Sequence, residues 1–308
     1  MIIDNSAANE FRTCPLLYFE NRLAEGTGLE PKAKLNEVTP LSLGSRIHEL
    51  EEEYYQELKG TPIAPYPPSP NEALENEADI IMTAYKAKYP VEDFGIVDVE
   101  RTFKVQLPVH CPCCYQVIKE VQVGRMVVWC DGCNKAVNPS YHIYTGKIDV
   151  VFREEGILNI MDHKSEKRRS MSNHPKKWSA RDQASLYLWA ASKIYQEPIG
   201  NFYVNILKRP SDKLQEGPLF PDRQRLERTQ EQIDIAVRDL VFIADEIERY
   251  KSIFKDQLWP SNREECSQGF YDCDFYLPHT FGWSEAIRQE KFQPKTPYLK
   301  LGNVDIIQ

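Results

Sequence analysis

The segment GKIDVVFREEGILNIMDHK (146–164) carries acidic and basic side chains at positions that a tight hairpin would bring together. Two apolar runs flank Glu155–Gly156, a dipeptide that suits the two-residue turn of a β-hairpin. With that turn, Asp149 falls directly opposite Asp162, their Cβ atoms about 5 Å apart. Two like charges so close, among apolar neighbours, destabilise the hairpin unless a positive group lies between them.

Lys164 is one candidate for that positive group. It follows Asp162 by two residues and therefore points to the same face of the strand. One lysine neutralises one acid, whereas a divalent metal ion would bridge both and leave Lys164 to orient an anion or a water molecule. A structural ion pair without chemistry is the alternative interpretation.

The elements around the hairpin alternate between helix and strand. Hydrophobic periodicity predicts helices over 5–24, with a kink or break at Pro15, and over 39–60, 71–89, 178–195 and 222–254. Strands are predicted over 95–109, 143–153, 157–164 and 201–209, and the proline-rich residues 62–70 form an extended linker. The pattern indicates an α/β core.

Residues 110–140 interrupt this pattern with a cysteine motif. Cys111, Cys114, Cys130 and Cys133 follow the spacing C-x2-C-x15-C-x2-C, which is typical of two zinc knuckles joined by a hairpin. Four thiolates leave no open coordination position, so the zinc would be structural. Cys113 and His110 lie beside the motif and are left outside the ligand set.

The acid–lysine hairpin resembles the signature of PD-(D/E)XK nucleases of the RecB type, G-x-x-D followed by D-x-K. Gly146, Asp149, Asp162 and Lys164 fill that signature. The same family carries Q-x-x-x-Y on the next helix, matched by Gln183 and Tyr187. Further upstream, GSRIH (44–48) matches its G-x-x-x-H and Cys14–Pro15 its N-terminal C-P.

The resemblance implies a restriction-endonuclease-like core, a mixed sheet flanked by helices, into which the small zinc ribbon is inserted. The nuclease domain would comprise 1–109 and 141–308, and the ribbon 110–140. Asp149 and Asp162 would bind Mg²⁺ or Mn²⁺, with His48 and the backbone carbonyl of His163 as further ligands. Glu100 is a weaker candidate, acting through a second metal or a water.

The resemblance also assigns roles to the remaining site residues. Lys164 would position or deprotonate the attacking water and stabilise the phosphate in the transition state. Gln183 and Tyr187 are spaced i,i+4 and share one helical face. They would hold the backbone of the nucleic-acid strand near the metals. The positive charges after the hairpin would receive the phosphates of the nucleic acid; they are Lys167, Arg168, Arg169, Lys176, Lys177 and Arg181.

A second cysteine set is more ambiguous. Many RecB-type nucleases, including the AddB and CRISPR-adaptation branches, bind a [4Fe–4S] cluster with one N-terminal and three C-terminal cysteines. This sequence has Cys14, Cys266 and Cys273, but at the position where a fourth cysteine is expected it has His279. Three interpretations stay open: an iron–sulfur cluster, a zinc site, or buried cysteines that bind no metal.

Composition and charge fit an intracellular enzyme better than other classes. The net charge of −8 excludes a uniformly basic nucleic-acid coat protein, although one local edge is strongly basic. No apolar run approaches membrane-spanning length, and the first residues lack the features of a signal peptide. We therefore expect a cytoplasmic protein, in a host cytoplasm if it is viral.

The sequence thus predicts a metal-dependent deoxyribonuclease, exonuclease or end-processing rather than endonuclease, with DNA as partner. The alternative is an inactive nuclease-fold protein that serves as a zinc-ribbon DNA-binding or scaffold subunit. The chain has no Walker A motif, so any strand separation would need a separate helicase or recombination protein.

Overall fold

A computed structural model describes residues 1–32, 38–118, 127–166, 178–210, 217–255, 259–267, 273–295 and 304–307. Within these residues the helices are α1 Asn5–Thr13, α2 Pro15–Arg22, α3 Pro40–Lys59, α4 Glu72–Lys88, α5 Asp182–Tyr195, α6 Gln230–Phe254, α7 Tyr276–Phe281 and α8 Glu285–Lys291. Two 3₁₀ turns span Ala24–Gly26 and Arg263–Ser267. The strands are β1 Ile2–Ile3, β2 Leu29–Pro31, β3 Gly95–Gln106, β4 Val128–Cys130, β5 Lys135–Val137, β6 Ile143–Glu154, β7 Ile157–Glu166, β8 Ile199–Lys208, β9 Gln224–Leu226, β10 Phe292–Pro294 and β11 Ile306–Ile307.

The helix ends follow local sequence signals. Helix α1 stops at Cys14, whose backbone is extended, and α2 starts at Pro15, so the predicted break is confirmed. A capping box formed by Thr39 and Ser42 starts α3, and Gly60, at a φ of 81°, ends it. The predicted helix over 222–254 was too long at its start, because residues 224–226 pair as β9 with β8.

The chain divides into two compact units. The first unit comprises Met1–Ala33, Lys104–Gly146 and Val237–Gln308, and the second comprises Lys34–Phe103 and Lys147–Ala236. Strands β3 and β6 contribute residues to both units. These limits differ from the predicted division at 110–140, which stays a prediction.

The second unit is built on a mixed sheet. Strands β6 and β7 are antiparallel, β7 and β8 are parallel, and β8 and β9 are antiparallel. Helix α5 connects the parallel pair β7 and β8, as parallel strands require. Helices α3 and α4 pack on the sheet through a common core that includes Ile47, Tyr55, Ile81, Val150 and Met161. This arrangement confirms the predicted mixed sheet flanked by helices.

The predicted hairpin has the expected register. Glu154 pairs with Ile157 and Val150 with Met161, so the next residues toward the chain termini are Asp149 and Asp162. Both turn residues have positive φ, 49° at Glu155 and 82° at Gly156, as a type I′ turn requires. The turn therefore sets which acidic residues face each other.

The first unit contains short strand pairs and the cysteine motifs. Strand β1 pairs in parallel with the start of β6, and β11 pairs in parallel with the end of β3. Strands β4 and β5 form the small hairpin of the four-cysteine segment, and β2 pairs with β10. No helix in the described part of the chain is long and apolar enough to cross a membrane.

Candidate metal centre

Helix α3 brings two functional side chains to the sheet of the second unit. His48 and Glu51 are three residues apart and so lie on one helical face. Gly44, one turn before His48, lets the helix approach β7 closely, since a Cβ there would lie 3.2 Å from Ser165 Oγ. His48 Nδ1 lies 3.8 Å from Glu51 Oε2.

The strand β3 presents Glu100 to the same place through an unusual backbone conformation. Glu100 has a φ of 52°, a left-handed value that costs a non-glycine residue on the order of 1 kcal/mol. Its carboxylate lies 3.8 Å from His48 Nδ1 and forms an ion pair with Lys147 on β6. Strained residues persist where surrounding structure or function demands them, and here the strain accompanies an acidic side chain at the site.

Asp149 completes a three-residue group. Its Oδ2 lies 3.7 Å from His48 Nδ1 and accepts a hydrogen bond of 2.7 Å from the backbone N–H of His163. Potential ligand atoms of His48, Glu100 and Asp149 all lie within 4.8 Å of one another. Two carboxylates and an imidazole at this separation are suitable ligands for a divalent cation.

Asp162 lies in the same hairpin but contacts different partners. Its Oδ2 is 2.6 Å from Lys164 Nζ, and its Oδ1 accepts a hydrogen bond of 2.9 Å from Gln183 Nε2 on α5. Burial raises the pKa of Asp162 more than the Lys164 ammonium lowers it. Burial alone lowers the pKa of Lys164, but the carboxylates of Asp162 and Asp149 outweigh it and the pKa is raised, so Lys164 stays charged.

The two histidines of the site are neutral near pH 7. Burial lowers the pKa of both His48 and His163 to about 4. His163 Nδ1 lies 3.0 Å from Glu51 Oε1 and 2.9 Å from the amide nitrogen of Asn205. A neutral imidazole can bind a metal ion, so His48 is available as a ligand without losing a proton.

The sequence analysis missed Glu51, which is 2% exposed. Burial raises its pKa to about 8, against the opposing effect of His48. Within the described residues its Oε2 has no hydrogen-bond partner, whereas its Oε1 faces the Nδ1 of His163. Its spacing of three residues from His48 was the signal that could have identified it, because both then share the helical face that meets the sheet. The sequence analysis also missed Lys147, the ion-pair partner of Glu100, because no sequence motif marks it.

The donor set fits a divalent ion. Four acidic residues lie at the site, Glu51, Glu100, Asp149 and Asp162, and the ion pairs that the described residues form with them there include two lysines, Lys147 and Lys164. Within the described residues, Glu51 Oε2 is buried without a hydrogen bond and lies 3.8 Å from His48 Nδ1, whereas Glu100 Oε2 and Asp162 Oδ2 depend on the ammonium groups of Lys147 and Lys164. Buried oxygens of this kind are costly unless a cation satisfies them.

The structure places the other predicted site residues as follows. Tyr187 lies one turn beyond Gln183 on α5, with its ring 5.9 Å from that of Phe103 and 6.2 Å from that of Phe202. The guanidinium of Arg181 lies over the Trp178 ring, 4.6 Å from its centroid. The remaining predicted DNA-contacting residues, Lys167, Arg168, Arg169, Lys176 and Lys177, lie outside the described residues.

The four-cysteine motif of the first unit forms a compact group. Cys111 Sγ lies 3.7 Å from Cys133 Sγ, and Cys114 Sγ lies 3.6 Å from Cys130 Sγ. All four sulfurs lie within 4.8 Å of one another. Ligands 2.3 Å from a tetrahedral zinc ion are roughly 3.8 Å apart, so the group could hold one. Cys113 is exposed and lies outside it.

Comparison with known proteins identifies the class. The sequence model of the PD-(D/E)XK nuclease superfamily matches residues 5–275, most of the chain, and the chain belongs to this superfamily. A search of the curated proteins finds no match. Among solved structures, "Crystal structure of SSO0001" is similar at 13% identity over 76% of this chain and 83% of that one, with a TM-score of 0.29.

Proposed function

We propose that the chain is a RecB-type deoxyribonuclease that uses Mg²⁺ or Mn²⁺ and digests DNA from an end. Superfamily membership supports nuclease activity in general. The proposal of a metal-dependent nuclease rests on one observation. Potential ligand atoms of His48, Glu100 and Asp149 lie together beside the Asp162–Lys164 pair. An inactive member would have no use for this many acids buried in one place, where their negative charges repel one another.

His48, Glu100 and Asp149 would hold the metal, with Asp162 and Glu51 as neighbouring oxygen donors. A divalent ion bound there would polarise the phosphodiester and lower the pKa of a bound water. The backbone N–H of His163 fixes the orientation of Asp149, and the backbone carbonyl of His163 stays a proposed ligand. Neutral His48 adds a nitrogen donor without adding charge.

Lys164 would act on the phosphate. Its ammonium is charged and is held by Asp162, so it lies beside the proposed metal ligands on the same strand. A fixed positive charge there stabilises the negative charge that develops on the phosphate oxygens. Gln183 would position Asp162 through its amide, and Tyr187, one turn further along α5, would help to hold the backbone of the nucleic acid near the metal.

The substrate would be bound outside this centre by the basic residues after β7 and by Arg181. Phosphate contacts of this kind position a nucleic acid without reading its sequence. The four-cysteine group would bind a structural zinc ion, and residues 110–140 around it would form an inserted zinc ribbon. We further propose cytoplasmic action, with a separate helicase or recombination protein wherever strand separation is needed.

The test is degradation of end-labelled linear DNA beside the same sequence as a closed circle. With Mg²⁺ or Mn²⁺ the wild type should digest the linear DNA and spare the circle, whereas Asp149→Asn should leave both intact. Cleavage of the circle, which has no end, would show that the protein is an endonuclease and not an exonuclease. If the wild type binds DNA but cleaves neither substrate with either metal, the protein is an inactive nuclease-fold DNA-binding or scaffold subunit.

A further inference from the structure

A second group of potential metal ligands lies in the first unit. Potential ligand atoms of Cys266, Cys273 and His279 all lie within 4.8 Å of one another. Cys266 Sγ is 3.9 Å from His279 Nδ1, so that nitrogen, rather than Nε2, faces the sulfur. The group shares no residue with the four-cysteine motif or with the acidic centre.

Cys14 lies beside this group although it is about 250 residues away in sequence. It is 4% exposed and lines the same cleft as Cys266 and Cys273. Its Sγ accepts a hydrogen bond of 3.3 Å from the backbone N–H of Asn262. Glu265 and Asp274 also line the cleft, so its charge favours a cation.

The backbone around the three C-terminal residues is fixed by local hydrogen bonds. The N–H of Cys273 donates to the carbonyl of Cys266 at 3.1 Å, and the N–H of His279 donates to the carbonyl of Phe275 at 2.9 Å. The Phe275 ring stacks on the His279 imidazole, with centroids 5.8 Å apart. The imidazole is therefore held with Nδ1 toward the sulfurs before any metal binds.

We propose that Cys14, Cys266, Cys273 and His279 form a mononuclear zinc site. Zinc binds thiolate at about 2.3 Å and imidazole at about 2.0 Å in a tetrahedron, so neighbouring ligand atoms are roughly 3.6–3.8 Å apart. The observed sulfur–nitrogen distance of 3.9 Å is close to that value. Cys14, at the break between α1 and α2, lies outside the group of three that is already within 4.8 Å, and from the same cleft it would supply the fourth ligand.

The iron–sulfur cluster implied by the family resemblance does not fit these residues as well. Such a cluster takes thiolates from four cysteines, and its iron atoms lie between them, which separates the ligands more than a single ion does. Here the ligand atoms of Cys266, Cys273 and His279 are already close enough to share one ion. The fourth position is an imidazole, a normal ligand of structural zinc.

Zinc at this site would join the N-terminal helices α1 and α2 to the C-terminal segment of the first unit. It would add to contacts that already hold these segments together: the N–H of Leu16 donates to the carbonyl of Pro260, the Tyr18 ring stacks on Trp259, and Trp283 Nε1 donates to Glu20. Because an unfolded chain has no such preformed site, the free energy of zinc binding adds to the free energy of unfolding.

The test measures metal in the full-length protein. Cells receive both iron and zinc, the protein is purified without oxygen, and zinc, iron and acid-labile sulfide are quantified. The variants are His279→Ala and Cys266→Ser, with Cys113→Ser as the matched control because Cys113 belongs to neither group. We expect each site variant to contain about one zinc fewer per chain than the wild type, and the control to match the wild type.

A fourth variant separates a structural defect from loss of a ligand. His279→Cys should keep its zinc, and after cobalt substitution its ligand-field absorption should shift toward that of a four-thiolate site. Zinc content unchanged in His279→Ala and Cys266→Ser would overturn the proposal. So would iron and sulfide in the wild type that disappear in Cys266→Ser, since they would show a cluster instead of a zinc ion.

Discussion

Glu51 gives a stability prediction that depends on pH and can be tested without a substrate. In the metal-free protein, burial raises the pKa of this carboxyl from 4.5 to about 8. The folded state therefore keeps a proton that the unfolded state releases between these two values. The free energy of unfolding must fall as the pH rises through this window, at up to about 1.4 kcal/mol per pH unit.

The expected size follows from the same two pKa values. Between about pH 5.5 and pH 7.5, Glu51 alone should lower the free energy of unfolding by roughly 2–3 kcal/mol. Glu51→Gln removes the titrating group, so its stability relative to the wild type should rise by this amount over the same interval. Only the change with pH matters, because the substitution also alters packing by an amount that does not depend on pH.

The measurement is urea-induced unfolding of both proteins in chelator at several pH values across this interval. Glu57→Gln is the matched control, because Glu57 is exposed on the same helix α3. Its stability relative to the wild type should stay constant. A difference between wild type and Glu51→Gln that is flat across the interval would refute the inference that burial raises the pKa of Glu51.

Three further predictions concern the chemistry of the site. Lys164→Ala should lower the single-turnover cleavage rate by roughly 10²–10³-fold while Mn²⁺ still binds, because the ammonium stabilises the negative charge that develops on the phosphate. A parallel loss of Mn²⁺ affinity would show that Lys164 has a structural role instead. Gln183→Ala should lower cleavage about 10–100-fold because Asp162 loses the amide that positions it, and a rate equal to the wild type would contradict this. Mn²⁺ affinity, measured by calorimetry, should weaken as the pH falls below about 8, since the metal must displace the Glu51 proton, and Glu51→Gln should weaken this dependence.

The hairpin could be predicted from sequence because its information is local. A two-residue turn fixes the register, and the register decides that Asp149 and Asp162 follow the pair Val150–Met161. The helix over 39–60 was predictable for a similar reason, since Gly60 ends it with a left-handed residue. The superfamily match confirms the class of fold that these patterns indicated and supports nuclease activity in general.

The arrangement of the acids depends on long-range contacts and could not be derived in this way. The positive φ of Glu100 has no signature in the alternating strand around it. The contacts of Asp162 with Lys164 and Gln183, rather than with the His48 group, depend on how α5 returns to the sheet. Glu51 was overlooked within a run of acidic residues that reads as a solvated helical face, although one of its positions is buried.

The start of the last long helix shows a different kind of error. Residues 222–229 are polar except for Leu226 and were predicted to be its first turns, but Gln224–Leu226 form the strand β9. Three residues are too few for a periodic pattern, so strand pairing with β8 decided their conformation.

The most direct test of the central claim is single-turnover cleavage of end-labelled linear DNA by the wild type and Asp162→Asn in Mg²⁺. Asp98→Asn is the control, because Asp98 is a strand acid of the same unit that binds Tyr195 and Lys59 outside the site. The proposed function predicts metal-dependent cleavage by the wild type and Asp98→Asn, with Asp162→Asn at least about 10²-fold slower. Equal cleavage rates in all three proteins would show that the hairpin acids are not the site of phosphodiester hydrolysis.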